Sequence, residues 1–335
     1  KEKDTSIVYA NPDFPVYSYD GRNWERINNK SLVNDSEVKD GKIIVVEQKF
    51  KKDRAWISYQ YPYTSTHLDD YIKIIKDSPF CTVEIAGYST ERRKIKQISI
   101  TDFEIPLKKK KIAWFTGLQH PAELGAGWGL EGMIDFLLSE NIVAKEARER
   151  YVFKIIPIVN IDSVYEGRGN IHSSLKNLNR EWEKPDPVSE VRSIKKTLDE
   201  WKAQGNPIDI FIDFHGFSVK EDESWYLVVL PEKIYKDEKQ RNEYKKLIEV
   251  IKKYIPFARS GPHPSIGFAA GTGYRQYGAL SMSIDGYVYR WPIKGKSPDL
   301  SSYYNLGSKI WGLKDIKACG AEFIKALVQF SKEGR

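Results

Sequence analysis

Residues Tyr151–Val159 form an almost unbroken apolar run, Tyr-Val-Phe-Lys-Ile-Ile-Pro-Ile-Val. A strand with one wet face alternates apolar and polar residues, so a run of this kind predicts a strand covered on both faces. Lys111–Gly117 and Ile208–Phe214 read the same way, and Ser224–Leu230 and Ala279–Ile284 are further strand candidates. Between them the period changes. Trp128–Ser139 and Ala144–Arg150 are helical, and Ser189–Gln204 places Val191, Ile194, Leu198 and Trp201 on one helical face. Asp237–Tyr254 and Ile316–Lys332 complete the helices. Alternation of buried strands with helices predicts an α/β fold, with a mixed, largely parallel sheet carrying helices on both faces.

Such sheets build their sites beyond the carboxyl ends of the strands. The first strand runs into His120 and Glu123, just before a helix that starts in the Gly-rich stretch Leu124–Gly129, and Ile208–Phe214 runs into His215. A His and a Glu three residues apart, just past a strand end, can turn both side chains toward one point. Two imidazoles and one carboxylate are a common catalytic zinc set that leaves a fourth position for water. His120, Glu123 and His215 are therefore the expected ligands of one zinc ion.

Residues 1–104 read differently. Short runs at Ser6–Tyr9, Lys42–Val46, Ala55–Tyr59, Thr82–Ile85 and Lys96–Ile100 are separated by turn signals such as Asp20-Gly21, Asn34-Asp35 and Asp40-Gly41. This predicts a small antiparallel β domain, interrupted by one helix over Thr66–Lys76 that starts near Ser65. The Lys-rich stretch Ile105–Lys111 is the expected junction, its lysines a solvated surface, and residues 105–335 the expected catalytic domain. The aromatic stretch Trp56–Thr64 reads as core packing, or as a contact surface.

Hydrophobic residues make up 41% of the chain, which is enough for sizeable cores, and the net charge of +7 is ordinary surface lysine or a preference for acidic partners. No apolar run is long enough to span a membrane, and no nucleic-acid motif is present. Cys81 and Cys319 lack both disulfide-framework and zinc spacing, so each is expected as a buried thiol. The chain begins Lys-Glu-Lys-Asp without a Met, which points toward an exported, trimmed protein, with the cytoplasm as the alternative.

At these residues the sequence resembles the M14 zinc carboxypeptidases, and within them the cytosolic-carboxypeptidase-like branch with an N-terminal β domain. His120-Pro-Ala-Glu123 resembles the family's His-Pro-Gly-Glu, and Phe153–Asp162 resembles its strand ending in Asn-Pro-Asp. Asn177-Leu-Asn-Arg-Glu-Trp182 resembles Asp-Leu-Asn-Arg-x-Trp, Asp213-Phe-His-Gly216 its third-ligand motif, and Tyr61-Pro-Tyr-Thr64 a signature of the accessory domain. The resemblance implies zinc on His120, Glu123 and His215, with Asp213 behind a ligand. It also implies Asn179 and Arg180 on the terminal carboxylate of a peptide or peptide-like substrate. A guanidinium fork suits that task, since it grips a carboxylate with two parallel hydrogen bonds.

Two departures stand out. Where the family has a Glu as general base at the end of its last core strand, Gly278-Ala-Leu-Ser-Met-Ser-Ile-Asp285 ends in Asp285, one methylene shorter. A misplacement of roughly 1 Å can change a rate on the order of 100-fold. The family also has an Arg nine residues before Asn179 to stabilise the oxyanion. Asn170 stands there, with Arg168 two residues earlier and His172 two later. The Gly271-Thr-Gly-Tyr-Arg-Gln-Tyr277 segment reads as a flexible loop offering Tyr274, Arg275 and Tyr277 to a substrate, with Arg275 suited to an acidic side chain. The expected activity is removal of a C-terminal residue with Asp285 as base. Against it stand a zinc-loaded binding protein that has lost hydrolysis, and a zinc amidohydrolase acting on a cell-wall-type amide.

Overall fold

The computed structural model describes residues 15–27, 30–34, 42–58, 60–168, 174, 176–216, 226–231, 234–235, 237–256, 258–262, 268–285 and 312–333. They fall into two compact units, one reaching to Pro62 and one beginning at Tyr63.

The first unit is antiparallel. Strands β1 (Val16–Ser18), β2 (Glu25–Arg26) and β5 (Trp56–Ser58) form a sheet in the order β2-β1-β5, and β3 (Lys30–Asn34) pairs with β4 (Lys42–Val46). The β1–β2 turn follows from its sequence: Asp20 Oδ1 accepts from the backbone N–H of Arg22 and Asn23, and Gly21 takes a φ of 71°. The strand expected at Ser6–Tyr9 lies outside the described residues.

The second unit is built on an eight-stranded sheet in the order β12-β11-β13-β10-β8-β9-β7-β6. In chain order these are β6 (Cys81–Tyr88), β7 (Lys94–Ile100), β8 (Lys111–Gly117), β9 (Tyr151–Ile156), β10 (Ile210–Phe214), β11 (Tyr226–Val229), β12 (Arg259–Pro262) and β13 (Leu280–Asp285). The centre is parallel, β8 pairing with β9 and β10, and β10 with β13. The β7–β9, β6–β7 and β11–β13 pairs are antiparallel. The units thus divide at residue 62, not at the Lys-rich junction. The hairpin β6–β7 is drawn into the large sheet because β7 bonds β9, a long-range pairing that no local pattern announces. Nor are all the junction lysines solvated: Lys110 is buried, its Nζ donating to Thr101 Oγ1 at 2.6 Å and to the Arg148 carbonyl at 3.0 Å.

Neighbouring residues of β8 show that both faces are covered. Trp114 meets Trp201 of α5 (Ser189–Ala203) edge-on at 6.3 Å, while Phe115 meets Phe323 of α8 (Leu313–Glu333) at 6.0 Å. On the α8 side Phe115, Phe214 and Phe323 interlock edge to face, and all are buried. Helix α2 (Gly125–Leu137) packs on α8 so closely that a Cβ at Gly320 would lie 2.2 Å from the Gly129 carbonyl oxygen. The first helix, α1 (Ser65–Ile75), is capped one residue earlier than expected, Thr64 accepting from the His67 amide. Tyr63 beside it is fully buried against Trp128 and His67, so that part of the aromatic stretch is core. Helices α3 (Ile142–Arg150) and α6 (Glu238–Tyr254) fall where expected, whereas α4 (Ile161–Glu166) and α7 (Ala269–Tyr277) do not appear among the predicted elements. Among the described helices none is long and apolar enough to cross a membrane. Cys81 and Cys319 are free and buried, and burial pushes their thiols up to about 11 and about 12.

Candidate metal centre

Strand β8 lies between β9 and β10, so its carboxyl end opens onto the crevice where connections leave to opposite sides. The chain turns sharply there. Leu118 is fully buried and adopts a φ of 52°, a conformation an L-residue takes at a cost of roughly 1–3 kcal/mol. Hydrogen bonds across to the end of β9 hold it: Val159 N donates to the Gly117 carbonyl at 2.9 Å and Asn160 N to the Leu118 carbonyl at 3.1 Å. His120 and Glu123 then leave the turn together, the Glu123 amide donating to the His120 carbonyl at 3.1 Å. His215 follows β10, its amide donating to the Ile284 carbonyl of β13 at 2.8 Å.

The three side chains converge. His120 Nδ1 lies 2.8 Å from Glu123 Oε1, His215 Nδ1 lies 3.0 Å from Glu123 Oε2, and the two Nδ1 atoms are 3.2 Å apart. Burial by itself would raise the Glu123 carboxyl, but the two imidazoles outweigh it and hold the group at about 2. Ligand atoms about 2.0–2.1 Å from a tetrahedral zinc stand roughly 3.3 Å from one another. The observed separations are of that size, so the donor set fits zinc. Among the described residues this is the one cluster of metal-ligating side chains that close together.

Both imidazoles are held from behind through Nε2. Asp213, fully buried, takes His215 Nε2 at 2.7 Å and Thr116 Oγ1 at 2.7 Å. Asn177 Oδ1 takes His120 Nε2 at 3.1 Å. Partners of this kind fix the ring and leave Nδ1 for the metal. Asn177 stands where the family pattern has an Asp, so it offers a neutral acceptor.

The other expected residues divide. Asn179 is buried beside the centre, its Nδ2 3.0 Å from His215 Nε2 and its Oδ1 accepting from the Ala269 amide at the start of α7. Arg180 is exposed, its guanidinium carbon 3.9 Å above the Phe268 ring. Asp285 ends β13, one residue past Ile284, whose carbonyl receives His215 N, and is partly exposed. The Arg168 guanidinium pairs with Glu166 at the end of α4. Asn170 and His172 lie outside the described residues.

The segment read as a flexible loop with Tyr274 and Arg275 is instead the helix α7. Its glycines serve close packing: a Cβ at Gly273 would lie 2.6 Å from Ser281 Oγ and 2.8 Å from the Phe211 ring. The helix starts beside Asn179 and ends at Gly278, next to the opposite edge of the sheet, where Leu280 N bonds the Asp209 carbonyl. At about 1.5 Å per residue it carries Arg275 roughly 9 Å from its start. Tyr274 is buried against Tyr235, Arg275 pairs with Glu183, and the Tyr277 hydroxyl donates to Asp199 at 2.9 Å.

Residues 69–290 match the peptidase M14 family, the zinc carboxypeptidases. The chain is 29% identical over 185 residues to cytosolic carboxypeptidase 3 of Bos taurus, covering 51% of this chain and 18% of that protein. It is 30% identical over 230 residues to cytosolic carboxypeptidase 6 of Mus musculus, covering 64% of this chain and 42% of that protein. It therefore spans less than half the length of either relative. A metallo-carboxypeptidase from Burkholderia cenocepacia superposes with a TM-score of 0.74 at 22% identity, over 98% of this chain and 84% of that one. A metallo-carboxypeptidase from Pseudomonas aeruginosa superposes with a TM-score of 0.70 at 18% identity, over 96% and 81%. At these identities the superpositions establish the fold.

Proposed function

The chain belongs to the zinc carboxypeptidase family, and from that premise we propose that it is a zinc-dependent carboxypeptidase with Asp285 in the place of the usual Glu base. It removes a C-terminal residue from a peptide or peptide-like substrate. The observation that carries this reading is the convergence of His120 Nδ1, Glu123 and His215 Nδ1 at the carboxyl edge of the sheet, with Asp285 on the adjoining strand end.

Zinc bound to these residues supplies a Lewis acid and lowers the pKa of water. The protein does the rest. Asp213 and Asn177 keep the two imidazoles turned with Nδ1 inward. Arg180, steadied over Phe268, grips the free carboxylate and fixes which peptide bond lies at the centre. Asp285 accepts a proton from the attacking water and returns it to the leaving amine. For the oxyanion, Asn170 or Arg168 is the donor, the latter after leaving Glu166.

The test is hydrolysis of a mixed library of C-terminal peptides and peptidoglycan stem peptides, read by mass spectrometry with and without chelator. Wild type is compared with Asp285→Ala and Asp285→Glu. Chelator-sensitive loss of one residue, abolished in Asp285→Ala, is expected. Activity confined to Asp285→Glu would mean a zinc scaffold retired to binding, and release from stem peptides alone would mean a cell-wall amidase.

A further inference from the structure

Gln119, between the strained Leu118 and the ligand His120, plays no part in the activity as described so far. It is fully buried. Its Oε1 accepts from Trp182 Nε1 at 2.7 Å, and its Nε2 donates to Asp213 Oδ2. Its backbone carbonyl takes Asn160 Nδ2 at 3.0 Å. The orientation of the amide follows from chemistry. An indole N–H can only donate, so it must face the amide oxygen, and the NH2 is left facing Asp213.

That orientation has a consequence one bond further on. Asp213 Oδ2 receives Gln119 Nε2 and therefore acts as an acceptor, while Oδ1 is taken by Thr116 Oγ1. His215 Nε2 lies 2.7 Å from that same Oδ2 and 3.0 Å from Asn179 Nδ2; the shorter contact is to a charged acceptor, which outweighs the neutral amide and favours the proton on Nε2. The lone pair available to a metal is the one on Nδ1, which faces His120 Nδ1 and Glu123. The order of donors and acceptors thus runs from Trp182, at the end of the Asn177–Trp182 segment that carries Arg180, through Gln119 and Asp213 to His215.

We propose that Gln119 is a positioning residue that transmits the fixed donor polarity of the Trp182 indole to Asp213, and so holds His215 as a metal ligand through Nδ1. The proposal rests on the zinc reading above. It makes the substrate-carboxylate segment and the metal centre one hydrogen-bonded unit, joined across the floor of the site.

The experiment measures zinc affinity by chelator competition, with thermal unfolding of the metal-free protein measured alongside. Gln119→Met keeps the volume and removes both hydrogen bonds. Trp182→Phe removes only the indole donor, and Asp213→Asn alters the acceptor. Gln119→Met is expected to weaken zinc binding about 10- to 100-fold, the range for loss of a group behind a ligand. Trp182→Phe is expected to weaken it less, and to add nothing in the Gln119→Met background, since its effect passes through the amide. Unchanged zinc affinity with lower stability of the metal-free protein would reduce Gln119 to core packing and overturn the proposal. Additive effects of Gln119→Met and Trp182→Phe would also overturn it. Should Gln119→Met not fold, the cycle between Trp182→Phe and Asp213→Asn decides on the same terms. Wild type that binds no zinc would instead refute the zinc reading itself.

Discussion

Replacing Asp162 by Asn tests how the second unit is held together near its site. Asp162 is the second residue of α4, just after the Asn160 that anchors Gln119, and its side chain is fully buried. It accepts from Ser89 Oγ at 2.6 Å, from the Glu91 amide at 2.8 Å and from Arg93 Nη1 at 2.7 Å, stapling the β6–β7 turn to the first turn of α4. Burial alone would raise its carboxyl, but these donors outweigh it and hold the group below the ordinary value. Asn fills the same volume, so no cavity opens; what is lost is the charge facing a guanidinium. Breaking a buried pair costs about 3–5 kcal/mol, and since Arg93 keeps 28% of its exposure, water recovers part of that. The expected loss is about 3 kcal/mol, or a fall in Tm of about 6–12 °C for a unit of this size. The pH dependence has a fixed sign. A carboxyl whose folded pKa is depressed stabilises fully above its unfolded value of about 3.9, and loses that contribution as pH falls through the folded value. Thermal unfolding of wild type and Asp162→Asn at pH 7 and again well below pH 4 reads both effects. A loss under about 1 kcal/mol at pH 7, or one undiminished in acid, would refute the charge argument.

Three further outcomes are expected. Arg180→Ala should raise KM for peptide substrates about 10- to 100-fold with a smaller change in kcat, and Phe268→Leu should raise it a few-fold, since a ring under a guanidinium is worth about 0.5–2 kcal/mol. Equal falls in kcat would place Arg180 in the chemistry rather than in binding. Burial disfavours the His215 imidazolium, but Asp213 and Glu123 outweigh it and set its pKa well above the ordinary value. Zinc must displace the Nδ1 proton, so chelator competition between pH 6 and 8 should show affinity tightening by up to about tenfold per unit as pH rises. An affinity flat over that range would contradict this.

The sheet and the clustering of His120, Glu123 and His215 were legible because each rests on a local signal: an apolar strand, then a His or Glu just past its end. What escaped rests on tertiary partners. Gly271-Thr-Gly reads as a flexible loop, yet Gly273 lies in a helix, at a place where Phe211 and Ser281 leave no space for a Cβ. The β6–β7 hairpin reads as part of the N-terminal domain until β7 meets β9. The pairing of Arg168 with Glu166 is likewise invisible to spacing alone. Gln119 belongs to no motif and Asn177 departs from the one it opens, and their contacts exist only once Asp213, Trp182 and His120 stand around them.

The bend at Leu118 sets the timing of events at the centre. Its unfavourable backbone is fixed by the bonds from Val159 and Asn160, so it is formed when the chain folds, before any ion arrives. An incoming cation would meet donors already spaced for it. Its binding would then be limited by the protons it must displace rather than by rebuilding of the bend. The entry of the metal and the folding of the chain become separate events.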